Sequence, residues 1–240
     1  MIHDFDREPL PVVSCLMPTK NRRRFLPRAL AMWKAQNWPK KELVIVEDGE
    51  DCKGEAAVDW LIDLLWSCRN VRYSYFEGSL GAKRNRAAAL AKGDIFVNWD
   101  DDDWNGPTRI SDQIAHMRLA RTPVVGMSSL IYYAEGAEHG YEYTGDAWYA
   151  SGSTHMFTRA YAEAHSWPDK NVGEDNDWLE EARRAGALST VSGLRSLVAC
   201  DHPKNTSARL FDTELGKLLR ETADNWRKIP LAQFAGTILP

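Results

Sequence analysis

The sequence contains no run of eighteen apolar residues, so it predicts no membrane-spanning helix. Its first ten residues, MIHDFDREPL, carry acids where a secretory signal would need a basic start and an apolar core. We therefore expect neither a transmembrane segment nor a leader peptide. The composition, with 44% hydrophobic and 27% charged residues over 240 positions, is that of a soluble globular chain with one substantial core.

Cysteine is scarce and scattered along the chain. The four cysteines include no C-x-x-C pair and lie at positions 15, 52, 68 and 200. This pattern disfavours both a disulfide framework and a cysteine zinc site. It predicts a reducing compartment, and we expect a cytoplasmic protein.

Acidic residues are absent between Pro11 and Lys41, although the net charge of the whole chain is −4. The same stretch holds eight lysines or arginines. Such a basic segment can serve the phosphates of a nucleotide, a nucleic acid or an anionic membrane surface. It can equally be the solvated face of a helix, and the sequence alone leaves these alternatives open.

Apolar runs alternate with segments of helical spacing through the first hundred residues. Helices are predicted after Thr19, over Glu55–Cys68 and in an alanine-rich segment that ends near Gly93; strands are predicted at Val12–Met17, Leu43–Val46, Val71–Phe76 and Ile95–Val97. This order is typical of an α/β fold with a doubly wound parallel sheet. Right-handed crossovers would bring the carboxyl ends of all four strands to one edge.

Charged and polar residues follow each of these predicted strands. The most prominent are four successive carboxylates, Asp100 to Asp103, at the end of the fourth strand. Adjacent like charges are costly unless they are neutralised, and Mg²⁺ or Mn²⁺ carrying a substrate phosphate is the best match for hard oxygen ligands. A solvated acidic turn is the alternative. Ligands of open α/β sheets bind at this edge, so a site for a metal-bound nucleotide is favoured.

The second half of the chain differs from the first in amino-acid composition. Residues 131–155 are rich in tyrosine, tryptophan and glycine, which suits either stacking on sugar rings or bases, or an antiparallel hairpin that covers the core. Glu174 and Asp175 lie near the predicted start of a helix, where one could act as a general base or as a helix cap. The segment after Asn205 is predicted to be a polar helix and a tail.

Five short motifs occur in order along the chain: PTKNR at 18–22, LVIVEDG at 43–49, GAKRN at 81–85, the DDDDW run at 100–104 and VGED at 172–175. Together they resemble glycosyltransferase family 2, the inverting enzymes with the GT-A fold, over roughly residues 12–209. The resemblance implies a Rossmann-like three-layer sandwich with a mostly parallel central sheet and a small antiparallel region on the acceptor side. It implies one domain over residues 1–240, with a nucleotide-sugar half at about 12–104, an acceptor half at about 105–205 and a helical tail at about 206–240.

The resemblance also implies roles for individual residues. The nucleoside part of a sugar nucleotide would be held by Thr19, Asn21, Arg22 and Asp48, and the pyrophosphate would lie near Arg84 and Lys83. Asp102 would bind Mn²⁺ or Mg²⁺, with Asp100 on the ribose or in the metal shell and Asp101 among the nucleotide-binding residues. Asp175 would deprotonate the acceptor hydroxyl, with Glu174 beside it. His202 matches a late histidine that completes the metal shell in many GT-A enzymes.

Two departures from the family pattern bear on activity. Glu47-Asp48 stands where a pair of aspartates is usual, and the Q-x-x-R-W element of processive synthases is absent. We therefore expect a single-transfer enzyme that uses a nucleoside diphosphate sugar, with UDP favoured as the nucleotide. A glycan, a lipid-linked sugar or a small molecule is favoured as acceptor. Hydroxylated DNA bases, as for phage-type DNA glycosyltransferases, and a non-catalytic nucleotide-sugar or carbohydrate-binding module are the alternatives.

Overall fold

The computed structural model describes residues 10–202, 205 and 224–232. Its helices are α1 (Leu26–Ala35), α2 (Glu55–Ser67), α3 (Leu80–Leu90), α4 (Arg109–Ala120), α5 (Arg159–Ala164) and α6 (Glu174–Arg184). Its strands are β1 (Val13–Lys20), β2 (Lys41–Asp48), β3 (Val71–Tyr75), β4 (Ile95–Asn98), β5 (Trp104–Asn105), β6 (Val124–Ala134), β7 (His139–Thr144), β8 (Met156–Thr158), β9 (Leu188–Ser192), β10 (Leu197–Asp201) and β11 (Trp226–Pro230).

One central sheet runs through the molecule in the order β11-β7-β6-β8-β4-β1-β2-β3, with β5, β9 and β10 attached beside this path. The first four strands pair in parallel, as the strand–helix rhythm predicts. Strands β8, β7 and β11 run antiparallel to their neighbours. Five of the ten pairings among the described residues are antiparallel, so that region is larger than the sequence indicates.

Helices cover both faces of the sheet, which gives the expected three layers. Alternate residues of β1 separate the two sides because successive side chains of a strand point to opposite faces. Cys15 and Met17 pack in one cluster with buried residues of α1, α2 and α4. Leu16 packs in the other with buried residues of α3, α5 and α6. The three-layer α/β fold predicted from the sequence is confirmed.

Pro18 does not end β1, contrary to the sequence prediction. The strand continues to Lys20, and Pro18 is paired with Val46 of β2. On the other side of β1 the pairing with β4 stops at Leu16, opposite Asn98. Proline has no N–H to donate, and it is tolerated at this position because β4 no longer pairs with β1 there. The extension carries Thr19 and Lys20 to the edge where the acidic run lies.

The predicted helical tail at 206–240 falls mostly outside the described residues. Where the structure does describe it, Trp226–Pro230 forms β11, which pairs antiparallel with β7. A helix prediction is therefore wrong for these five residues. The segment WRKIP has too few apolar residues to reveal its pairing, because β11 is stabilised by a partner more than eighty positions earlier in the sequence.

Two negative predictions can be compared with the structure. All four cysteines are free thiols. Within the described ranges, none of the helices combines the length and the apolar character needed to cross a bilayer.

Candidate active site

A cleft of about 1230 Å³ opens at the carboxyl edge of the parallel strands. It is lined by the loops after β1 and β4, by the starts of α3 and α6, and by residues of β6, β7 and β11. Asp102 and Asp175 both line this cleft although 73 positions separate them in the sequence. The fold thus brings the two principal predicted site residues to one cavity.

The four aspartates of the acidic run line the cleft. Carboxylate oxygens of Asp100, Asp102 and Asp103 lie within 4.8 Å of one another, an arrangement that could hold a metal ion. Burial and the neighbouring Asp102 raise the pKa of the Asp101 carboxyl to about 7, against the opposing effect of Arg22. Burial likewise raises the pKa of Asp100. The site therefore concentrates acidic groups whose ionised forms need a cation.

Asp103 is the member of this group that the sequence analysis missed as a ligand. Its Oδ1 atom also accepts a hydrogen bond of 2.9 Å from the backbone N–H of Cys200 in β10. Its position in the DDDDW run was the available signal. However, four successive aspartates contain the D-x-D spacing twice, at 100/102 and at 101/103, so the spacing alone did not point to Asp103.

Arg22 and Thr19 lie against the acidic run. Nη1 of Arg22 is 3.1 Å from Oδ1 of Asp101 and 2.9 Å from Oδ2 of Asp102. The Thr19 hydroxyl donates to Oδ2 of Asp101. Arg22 thus offsets part of the negative charge and remains beside the cleft that a diphosphate would enter.

His202 reaches the acidic run from the end of β10. Its Nε2 atom lies 3.0 Å from Oδ2 of Asp102, and its ring packs on Phe25 at a centroid distance of 4.5 Å. The amide of Asn205 donates to the same Asp102 oxygen at 3.1 Å. The predicted ligand His202 therefore contacts Asp102, although the group of three mutually close oxygen ligands consists of aspartates alone.

Asp48 and Lys83 form a buried ion pair, of which Lys83 lines the cleft. Nζ of Lys83 also donates to the backbone oxygen of Thr19 at 3.1 Å, and Lys20 lies 3.3 Å from the other oxygen of Asp48. This pair ties the ends of β1 and β2 to α3. Asn21 lies beside it with a left-handed φ of 53°, and its Oδ1 atom accepts from the N–H of Asp51 at 3.2 Å.

Arg84 connects the acidic run to the start of α6. Its Nε atom is 3.3 Å from Oε1 of Glu174, and its Nη2 atom is 3.5 Å from Oδ1 of Asp100. Both Arg84 and Glu174 are 2% exposed. Nη1 of Arg84 is buried and has no hydrogen-bond partner among the described residues, which is costly unless a ligand supplies an acceptor.

Glu174 and Asp175 therefore have different environments. Glu174 is engaged by Arg84, whereas Asp175 is partly exposed, and its Oδ1 atom accepts a hydrogen bond of 2.9 Å from the backbone N–H of Asn176. Burial and the charge of Asp175 raise the pKa of the nearby Tyr149 hydroxyl to about 12. Asp175 is the carboxylate of the pair that can meet a hydroxyl group in the cleft.

Arg109 connects the segment before the acidic run to the segment beside Asp175. Its Nη2 atom donates to the backbone oxygen of Asn98 at 2.8 Å and to that of Ser153 at 2.6 Å. Asn98 ends β4 just before the acidic run, and Ser153 lies in a short 3-10 helix (Gly152–Thr154) that faces Asp175. Arg109 is fully buried, and burial lowers its pKa to about 10.

The aromatic region at 131–155 contributes both to the fold and to the cleft. Its β6 and β7 strands pair antiparallel, as one of the two sequence interpretations expects. Tyr132, Tyr143 and Tyr149 also line the cleft, where β11 adds Trp226. The sequence analysis did not single out Trp226, because nothing local linked it to this region.

Comparison with known proteins identifies the family. The model of "Glycosyl transferase family 2" matches residues 14–170. The chain belongs to this family. The family 2 match spans β1 to β8 and contains the acidic run and both Lys83 and Arg84, whereas Asp175 and β11 lie beyond it.

A curated relative and several solved structures resemble this family 2 chain. It is 30% identical over 112 residues to the putative colanic acid biosynthesis glycosyl transferase WcaA of Escherichia coli K12, a match that covers 44% of this chain and 38% of WcaA. The chain thus spans less than two fifths of that relative. TarS of S. aureus in complex with UDP-GlcNAc has a TM-score of 0.67 at 18% identity, covering 89% of this chain and 67% of that one.

A third likeness is to the mannosyltransferase PcManGT from Pyrobaculum calidifontis, solved in complex with GDP-Man and Mn²⁺. Its TM-score is 0.60 at 15% identity, and the match covers 81% of this chain and 58% of that chain. At these identities the two solved structures establish the GT-A fold of this family 2 member.

Proposed function

We propose that this protein is a metal-dependent, inverting glycosyltransferase that moves one sugar from a nucleoside diphosphate sugar to an acceptor hydroxyl. The observation that carries the proposal is the shared cleft. It is lined both by the acidic group of Asp100, Asp102 and Asp103 and by Asp175. A donor at the first group and an acceptor at Asp175 would meet within one cavity.

The acidic group suits the divalent cation that the sequence predicts. Its three carboxylates provide hard oxygen ligands of the kind that Mg²⁺ and Mn²⁺ prefer. Oδ1 of Asp100 is buried without a hydrogen-bond partner among the described residues, so a ligand position is available. Bound there, either ion would act as a Lewis acid that stabilises the departing diphosphate. His202 would hold Asp102 in position.

The donor would lie over the loops after β1 and β4. Arg84 offers its unpartnered Nη1 atom to the diphosphate, and Arg22 adds a second cation at the cleft. Thr19 and Asn21 would contact the nucleoside. Asp48 would act through Lys83, which it holds in a buried ion pair. We propose UDP as the nucleotide, supported by the UDP and UDP-GlcNAc complexes of the structurally similar TarS.

The transfer itself would be a single displacement. The acceptor hydroxyl gives its proton to the carboxylate of Asp175 while its oxygen forms a bond to the anomeric carbon of the donor. The bond from that carbon to the diphosphate oxygen breaks, and its electron pair leaves with the nucleoside diphosphate. Attack from the face opposite the leaving group inverts the configuration. Glu174, held by Arg84, would position the start of α6.

A DNA acceptor finds less support than a glycan acceptor in the basic segment between residues 11 and 41. Two of its arginines form ion pairs within the molecule: Arg23 with Glu47 at 3.0 Å and Arg24 with Glu135 at 3.3 Å. Arg28 donates to the backbone oxygen of Asp102 at 2.6 Å. Internal neutralisation of this kind removes charge that would otherwise bind a phosphate backbone.

The test is a screen of sugar nucleotides for release of the nucleoside diphosphate, with and without Mn²⁺ or Mg²⁺. We expect one donor, with UDP as its nucleotide, to be hydrolysed slowly by water in a metal-dependent reaction and faster with a matching acceptor. Hydrolysis of no donor, with nucleotide binding retained, would instead indicate a binding module. Release of pyrophosphate would indicate nucleotidyl transfer. Inversion is checked by NMR of the anomeric configuration of the product. The cytoplasmic location stays a prediction from cysteine usage.

A further inference from the structure

Three aromatic side chains from β6, β7 and β11 form a continuous wall that lines the cleft. This aromatic wall consists of Tyr132, Tyr143 and Trp226. The Trp226 ring lies 4.8 Å from Tyr143 and 5.4 Å from Tyr132 between centroids, and the two tyrosines are 6.3 Å apart. All three are partly exposed and line the cleft that Asp175 also lines.

Strand register explains why the three rings share one face. Tyr143 is paired with Leu130 of β6 and with Trp226 of β11. Directly opposed residues of antiparallel strands point to the same side of the sheet. Tyr132 lies two positions after Leu130 in β6, so its side chain points to that side as well. The wall is therefore built by three neighbouring strands and does not depend on the conformation of a loop.

The basic side chains of the cleft are unevenly distributed over the chain. Among the described residues they come from the end of β1 and the loop after it, and from α3, namely Lys20, Arg22, Lys83 and Arg84, and none comes from the strands that carry the aromatic wall. The cleft is also lined by neutral hydrogen-bonding side chains, including Ser151 and Asn225. Flat aromatic faces with neutral hydrogen-bonding groups suit an uncharged sugar ring, whereas a nucleic-acid backbone requires lysine or arginine.

We propose that the aromatic wall is the acceptor subsite and that it binds an uncharged sugar ring stacked on Trp226. This inference rests on the proposed function, because the ring would present its hydroxyl to Asp175 across the same cleft. It adds the substrate class: the acceptor is a neutral saccharide. Trp226 also lies outside the stretch that matches the family model, so the ring is a feature of this chain and not of that shared stretch.

The inference can be tested by saturation-transfer NMR on the full chain in the presence of UDP and Mg²⁺, which is diamagnetic and leaves the ligand signals sharp. The probes are the methyl pyranosides of glucose, galactose, mannose and N-acetylglucosamine. We expect at least one of them to bind, and Trp226→Ala to weaken that binding by about tenfold or more, as loss of a stacking contact does. Trp226→Phe should retain most of it. Trp66→Ala, at an 85% exposed tryptophan of α2, is the control and should change nothing.

A second variant, Tyr143→Ala, keeps the test decisive if Trp226→Ala does not fold. Three outcomes would overturn the inference: no pyranoside binds the wild-type chain; binding is the same in wild type and in the folded wall variants; or a short DNA duplex binds through Trp226 instead.

UDP binding, measured by calorimetry, separates this inference from the proposed function. Absence of UDP binding counts against the proposed transferase function. Loss of pyranoside binding in Trp226→Ala with unchanged UDP affinity supports the aromatic wall as the acceptor subsite.

Discussion

The carboxylate of Asp175 occupies the space that a side chain at position 152 would need. A Cβ atom built on Gly152 would be closer to Oδ2, Cγ and Cβ of Asp175 than nonbonded atoms can approach. Gly152 begins the 3-10 helix that Arg109 holds through the backbone of Ser153. The absence of a side chain at one position thus permits the placement of the proposed base at another.

Gly152→Ala should therefore lower turnover by displacing Asp175. Misplacement of a reacting group by about 1 Å can cost on the order of 10²-fold in rate, and we expect a loss of that size in kcat. Steady-state kinetics with the screened donor and acceptor measure it. In an Asp175→Asn background the same substitution should change kcat little, since the base is already lost. Equal losses in both backgrounds would contradict this explanation.

Asp175→Asn should remove most turnover and leave donor binding nearly intact. General base catalysis contributes about 10²- to 10⁴-fold, and the amide cannot accept the proton of the acceptor hydroxyl. Asp177→Asn is a matched control in the first turn of the same helix, where Asp177 pairs with Lys170 at an exposed position. Nearly full activity of Asp175→Asn would exclude Asp175 as the base.

Asp102→Asn should weaken Mn²⁺ binding by at least about 100-fold, since even substitutions that only support a metal ligand cost 10- to 100-fold. Calorimetry with Mn²⁺ alone and then with UDP measures both affinities. Asp59→Asn, an exposed carboxylate on α2, is the control and should bind as the wild type does. Unchanged Mn²⁺ affinity in Asp102→Asn would remove Asp102 from the proposed metal site.

Lys83→Met should destabilise the fold by up to about 3–5 kcal/mol, because it removes the buried partner of Asp48 and leaves that carboxylate only the exposed Lys20. Urea unfolding measures the change. The double variant Lys83→Met with Asp48→Leu should recover much of the loss. Lys53→Met, which breaks the exposed pair with Glu50, should leave the free energy of unfolding nearly unchanged. A small effect at Lys83 would show that the pair contributes little to stability.

Stability should fall on acidification between about pH 6.5 and pH 4 because of His155. Burial lowers the pKa of this histidine to about 4, and its ring stacks on Trp178 at 5.5 Å. In this window the unfolded chain binds a proton that the folded chain does not, so the free energy of unfolding decreases by up to about 1.4 kcal/mol per pH unit. His155→Gln should flatten the slope measured by unfolding at several pH values. An identical slope in the variant would contradict the assignment.

The sequence was informative wherever a local pattern coincided with a tertiary role. The strand β4 and the aspartates after it could be predicted because a buried apolar run directly precedes them. The proximity of Asp102 and Asp175 could be expected only from the family resemblance, since no local pattern reports a contact across 73 positions. His202 was predicted in the same way, and the structure brings it to Asp102.

The residues that the sequence did not reveal share a physical cause. Trp226 joins the cleft because β11 pairs with β7, and the partner of such a short edge strand is decided by tertiary contacts. The short strands β5, β8 and β9 were not predicted for the same reason. Gly152 could not be recognised, because the steric need for it comes from Asp175 on another element.

The two hydrogen bonds of Arg109, to Asn98 and to Ser153, have a mechanical consequence. They anchor the segment before the aspartates and the segment under Asp175 to a single planar group that is itself fully buried. The distance between the proposed metal site and the proposed base is thereby set by the folded chain itself. If the proposed function is correct, a donor and an acceptor would have to fit that distance.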